Sequence, residues 1–122
     1  MDHAPFSSEA AWQHIGALYA DEAVARDLLR RQDAEGLDVV LHLFGQWAAT
    51  QGRALDAAAL AEADAQVAAW RAQVVLPLRQ LRRAMKGLAA PGGDAVRRQV
   101  QAAELAAERA ELDMLCDWLR GR

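Results

Sequence analysis

Apolar residues recur along this chain at intervals of three and four, interrupted by short polar or glycine-bearing links. Each uninterrupted stretch predicts an amphipathic helix. Trp12, Ile15 and Tyr19 form the first stripe, with Ser7 or Ser8 as cap and Glu9 in the first turn, so a helix is expected over roughly 8–20. Asp21 caps a second pattern through Val24, Leu28 and Gln32, which Gly36 closes, over roughly 22–35. Asp38 caps a third stretch, Val39 to Trp47, that ends before Gly52 and is apolar nearly all round, which marks it as the central, buried helix.

Beyond Gly52, Asp56 caps a short fourth helix over about 57–63, with Leu55 and Leu60 placed to form a hydrophobic staple. Asp64 either caps a fifth helix or lies inside a continuous one. From there Val67, Trp70, Val74, Leu78, Leu81, Met85 and Leu88 keep helical spacing over about 65–86, with a kink expected where Pro77 lacks its amide donor and crowds the carbonyl of Gln73. Ala89-Ala90-Pro91-Gly92-Gly93 is the clearest loop. Asp94 is the expected cap of a last helix reaching about Leu119, whose seam of Val96, Val100, Ala103, Ala107, Ala110 and Met114 suits a close helix contact within the chain or with a second copy. The expected fold is all-α: one domain over 1–122, a compact bundle of five to six helices with a kinked C-terminal helical hairpin against the third helix and a flexible tail over 1–7.

Composition agrees, because the 53% of hydrophobic residues in this 122-residue chain is dominated by alanine and β-branched residues are few. Lys86 is the only lysine among 14 basic residues, a bias expected of a GC-rich bacterial genome. A single cysteine, Cys116, excludes an intramolecular disulfide and a thiolate zinc site, and suits a reducing compartment. The N-terminus lacks the pattern of a secretory signal and no apolar run is long enough to span a bilayer, so a cytoplasmic protein is expected.

Net charge is −3, yet its distribution is uneven. Between Arg71 and Arg98 seven basic residues face one acid, Asp94; between Val100 and Asp117 five acids face Arg109 alone. Folded as a hairpin, the chain would gather Arg79, Arg82, Arg83, Lys86, Arg97 and Arg98 into a basic tip. Such a tip is suited to phosphate, nucleic acid or an acidic protein surface, or is a solvated face balanced by the acidic helix.

Other candidates carry less. Glu104, Glu108 and Glu111 share one side of the last helix, but the Glu-x-x-His repeats of a carboxylate-bridged metal pair are missing, so no metal or other cofactor is expected. His42 and Gln46 form a polar pair one turn apart beside Gly45 and Trp47. They mark either a ligand pocket or a hydrogen-bonded couple with no further role. His14 is expected to be exposed. The four tryptophans, 12, 47, 70 and 118, read as core anchors, and Cys116, near acids at a helix C-terminus, is a poor nucleophile.

Taken together, Trp12 and Tyr19, Leu29 to Asp33 followed by Gly36, the Leu-Phe-x-x-Trp run ending at Trp47, and Gly52 resemble the DUF2390 family of uncharacterised proteobacterial proteins. Trp70, the Pro77-Leu78-Arg79 and Leu81-Arg82-Arg83 run and the Glu104-x-x-x-Glu108 stretch extend that resemblance over roughly residues 10–115. It implies a bacterial intracellular setting, and because the family carries no assigned activity, catalytic residue or cofactor it adds nothing to the mechanism. No nucleophile with its base and no phosphate-cradling loop is visible. The expected function is a small non-enzymatic binding or adaptor protein using the basic tip on an acidic partner, protein or nucleic acid. The alternative is a small-ligand carrier or sensor with an apolar pocket at His42, Gln46 and Trp47, and a homodimer is compatible with either.

Overall fold

A computed structural model describes residues 6–122. Among the described residues the chain forms six helices and one widened turn: α1 (Ser8–Tyr19), α2 (Glu22–Glu35), α3 (Val39–Thr50), α4 (Ala57–Trp70), a π-helical turn (Arg71–Val75), α5 (Leu76–Lys86) and α6 (Gly93–Arg120). The caps follow elementary hydrogen-bond needs. Ser7 accepts from the Ala10 amide, Asp21 from Ala23 and Val24, Asp38 from Leu41 and Asp56 from Ala59, each satisfying donors that a helix start leaves free. Gly36 closes α2 with φ of 68°, a left-handed conformation that costs a side-chain-bearing residue about 1 kcal/mol.

Two expectations are corrected. The short helix over 57–63 and the long one over 65–86 are one continuous rod, α4 to α5, with Asp64 inside it. That rod accommodates Pro77 by widening: the Leu76 amide bonds back five residues to the Arg71 carbonyl, so the proline follows directly on a π turn, where the hydrogen-bond register is already changing. Asp94 does not cap α6. Gly92, with φ of 75°, holds the cap position and Asp94 lies in the first turn, where its charge favours the helix dipole.

The core gathers on α3 and α6. Val39, Val40, Leu43, Phe44, Trp47 and Ala48 of α3 meet Leu112, Leu115, Cys116 and Leu119 of α6, with Ala11 and Ile15 from α1, Leu28 from α2, and Ala63 and Val67 from α4. Alanine at positions 11, 48 and 63 is fully buried, which lets helices approach closely. Phe6 and Ser7, expected in the flexible tail, lie on this bundle: Phe6 packs against the core, under the Arg53 guanidinium. The rest of that tail lies outside the described residues. The hairpin meets α3 through α6 only. α5 packs on α6 and the π turn, so the outer half of the hairpin stands out from the body.

Candidate functional site

The sign-segregated segments meet each other across the hairpin. Arg79 and Arg82 project from α5 onto Glu104 of α6: Arg79 Nε donates at 3.3 Å to one carboxylate oxygen, and the Arg82 guanidinium reaches both. Glu104 is buried among them. Burial alone would raise its carboxyl, but the hydrogen bonds and charge of Arg82, then Arg79, outweigh it and hold the group below the usual carboxylate value. Arg83 pairs with Asp33 of α2, and Arg97 donates to the Arg82 carbonyl at 3.4 Å. Of the six basic residues expected to form a tip, Arg79, Arg82 and Arg83 therefore serve the fold's own acids. Lys86 and Arg98 are exposed with no ion-pair partner among the described residues.

Beside these arginines lies a cleft of about 790 Å³ between the hairpin and α1, α2 and α3. Its walls are Trp12, Ile15, Val39, Val40 and Leu105; Arg82 and Arg98 stand with Gln101 on the α5–α6 side, and Leu29 with Gln32 on the α2 side. Leu29 and Leu105 are 46% and 55% exposed, large apolar side chains left open next to positive charge. Glu108, one turn from Glu104, faces the same space with Tyr19. Burial pushes its carboxyl up to about 7, opposed by Arg79 at 4.0 Å and reinforced by the like charges of Glu104 and Asp38. Near neutral pH the cleft thus offers hydrogen-bond donors from Tyr19, Arg82, Arg98 and a partly protonated Glu108.

The third glutamate of the stripe, Glu111, points into a different network. It is 1% exposed, burial with the neighbouring Asp38 carboxylate pushes its carboxyl up to about 9, and its Oε2 has no hydrogen-bond partner among the described residues. Arg71, the first residue of the π turn, donates to Asp38 at 2.6 Å and to Asp64 at 2.7 Å. This cluster locks α3, α4 and α6 together where the rod widens. Of the three glutamates that share one side of α6, Glu104 pairs with Arg79 and Arg82, Glu108 faces the cleft, and Glu111 lies beside Asp38.

A second depression, of about 660 Å³, opens above Arg71. Asp38, Asp64, His42 and Gln46 supply its polar side and Leu37, Leu41, Leu55 and Leu60 its apolar side. His42 and Gln46 are hydrogen-bonded to each other at 3.2 Å, and burial, with the charge of Arg31, lowers the imidazole's pKa, favouring the neutral ring. Trp47, expected in this pocket, is instead 2% exposed and packs on Phe44 in the core. Gly45 does leave room: an added Cβ would touch Leu60 at 3.4 Å.

The remaining candidates settle simply. Trp12, Trp70 and Trp118 are half-buried; Trp70 Nε1 donates to the Ala107 carbonyl at 2.9 Å, while Arg109 covers Trp12 and Arg122 covers Trp118. His14 is half-buried rather than exposed. Cys116 is buried, and burial, more than the nearby acids, pushes its thiol up to about 11. Among the described residues no cluster of three or more His, Cys, Asp or Glu could hold a metal, and no helix is long and apolar enough to cross a membrane.

The molecule is thus an all-α bundle whose most chemically varied surface is an arginine-bearing cleft at the root of a helical hairpin. Its sequence matches the model of the family described as "Protein of unknown function (DUF2390)" over residues 10–115, and the chain belongs to that family. No curated protein and no solved structure matches it. The matched span contains every residue of the cleft and of the Asp38–Arg71–Glu111 cluster.

Proposed function

We propose that this chain is a non-enzymatic binding or adaptor protein that takes an acidic segment of a partner protein into the cleft between the hairpin and α1–α3. The observation that carries this reading is the pairing of unmatched positive charge, at Arg98 and one turn beyond Arg82 at Lys86, with the exposed apolar residues Leu29 and Leu105. A volume of about 790 Å³ admits one or two apolar side chains, and the guanidinium groups above suit carboxylates beside them. Glu104 and Glu108 in the same space disfavour a continuous phosphate backbone, so a protein is preferred to nucleic acid. The expected basic tip thereby becomes a rim: Arg98, Lys86 and the outer edges of Arg82 and Arg83 contact the partner, while Arg79 positions Glu104.

The test is a photo-crosslinking amino acid at position 105, introduced in cells of the source organism, with and without Arg98→Glu. A discrete protein adduct that Arg98→Glu abolishes supports the reading. Adducts that persist unchanged with Arg98→Glu, or that vanish on nuclease treatment, contradict it.

The groove beside His42 and Gln46 supports a second reading, a small-ligand carrier, because it joins apolar walls to a hydrogen-bonding pair. Filling it with Gly45→Leu should abolish uptake of an apolar fluorescent probe if ligands enter there. Unchanged uptake removes that reading.

A further inference from the structure

The hairpin has a second side, facing away from the cleft. At 100° per residue, Leu78, Leu81 and Met85 fall along one strip of α5, with Leu88 just past its end, while Arg79, Arg82, Arg83 and Lys86 fall on the side that meets Glu104 and Asp33. On α6, Val96 and Ala103 occupy the corresponding outer strip, on the opposite side from Leu105 and Arg98. Leu81, Leu88 and Val96 are 49%, 69% and 52% exposed. α5 is strongly amphipathic and yet buries no residue. Leu78 and Met85 are half-buried, while Leu81 and Leu88 are left open within the described chain, since α6 is the only helix that packs along α5.

We infer that this outer hairpin face is the interface of a homodimer, in which the hairpins of two copies pack face to face as a four-helix bundle. Three observations select a second copy. Along α5, from Leu76 to Lys86, and between Ala95 and Ala110 on α6, the outward positions carry no charged side chain, in a chain that is 25% charged. A face without charge is complementary to itself and gives neither nucleic acid nor an acidic protein anything to hold. The arginines lie on the far side of the hairpin, so two-fold pairing keeps like charges apart, and alanine at 84, 95, 103 and 106 permits close helix approach.

The size of the face sets the expected strength. Fifteen helical residues span about 22 Å and two adjacent helices about 20 Å, several hundred Å² per copy, which lies at the lower edge of specific interfaces. A reversible dimer is expected.

Sedimentation equilibrium over a hundredfold concentration range tests it, with circular dichroism to verify folding. Wild type should show a monomer–dimer equilibrium. Leu81→Lys and Ala103→Glu should each weaken it at least tenfold, whereas Leu105→Lys, on the cleft side, should leave it unchanged. A monomer at every concentration overturns the inference. So does a dimer that tolerates Leu81→Lys and Ala103→Glu but is lost with Leu105→Lys. Flotation with neutral phosphatidylcholine vesicles, abolished by Leu81→Lys, would also overturn it by giving the face a lipid occupant. None of these readouts depends on the cleft's partner, so the two proposals fail separately.

Discussion

Glu104→Gln isolates the central electrostatic feature, because it keeps the shape of the side chain and removes the charge that Arg79 and Arg82 share. Both arginines are mostly covered, with side chains 13% and 23% exposed against 8% for Glu104. Removing one partner of a fully buried pair costs about 3–5 kcal/mol, and partial exposure of the arginines with residual amide hydrogen bonds reduces that to about 1–3 kcal/mol. Glu108, at 4.0 Å from Arg79, provides further compensation by ionising more readily.

Urea unfolding followed by tryptophan fluorescence at pH 7.5 should show that loss, with a fall in Tm of about 3–5 °C per kcal/mol. A cycle with Arg82→Met should give a coupling of about 1–2 kcal/mol. The sign with pH is fixed. A carboxyl held below its ordinary value stabilises the fold above that value, and the contribution is lost as pH falls through the native-state pKa, so the gap between wild type and variant must close in acid. A variant within about 0.5 kcal/mol of wild type at pH 7.5, or a gap that widens in acid, refutes the reasoning.

Glu108 has the opposite sign: a carboxyl raised to about 7 favours the fold below the ordinary carboxylate pKa, and that contribution is lost as pH rises through 7. Glu108→Gln should therefore gain about 1–3 kcal/mol relative to wild type at pH 9 and little at pH 5, read from urea midpoints at the two values. Trp70→Phe, which removes the bond to the Ala107 carbonyl, should cost about 0.5–1.5 kcal/mol with the fold unchanged by circular dichroism. Gly36→Ala should cost about 1 kcal/mol by the same unfolding assay, because φ of 68° strains alanine although nothing crowds its methyl group. Cys116, buried with its thiol at about 11, should react with a disulfide reagent at neutral pH only as fast as the protein opens; rapid stoichiometric labelling of the folded protein would show the site to be accessible.

The helices were legible because their signals are local: Ser7, Asp21, Asp38 and Asp56 cap where the spacing places them, and Gly36 stops α2. One local signal misled. Asp64 imitates a cap inside a continuous helix, because its carboxylate serves Arg71 instead of a free amide. Pro77 marks the place where the helix departs from regular geometry, but that the departure takes the form of a π turn just before it was not legible in the sequence.

The basic and acidic segments were equally plain in the sequence. That they would neutralise each other depends on which face of α5 meets which face of α6, a tertiary fact. The cleft required still more, since Leu29 of α2, Trp12 and Tyr19 of α1 and Arg98 of α6 come together only when the body of the bundle closes against the hairpin. His42 and Gln46 do line a groove, as their spacing allowed. Trp47 does not, because one further residue along α3 turns a side chain by about 100°, into the core.

The proposal that this cleft holds acidic segments is tested most directly by titrating the ¹⁵N-labelled protein with a soluble peptide of alternating glutamate and leucine, against a lysine–leucine peptide as control. The account predicts that the acidic peptide alone shifts amide resonances around Trp12, Tyr19, Leu29, Arg98 and Leu105, and that Arg98→Glu suppresses those shifts. Shifts from both peptides alike, shifts confined to the His42 groove, or none at the cleft at millimolar peptide would contradict it.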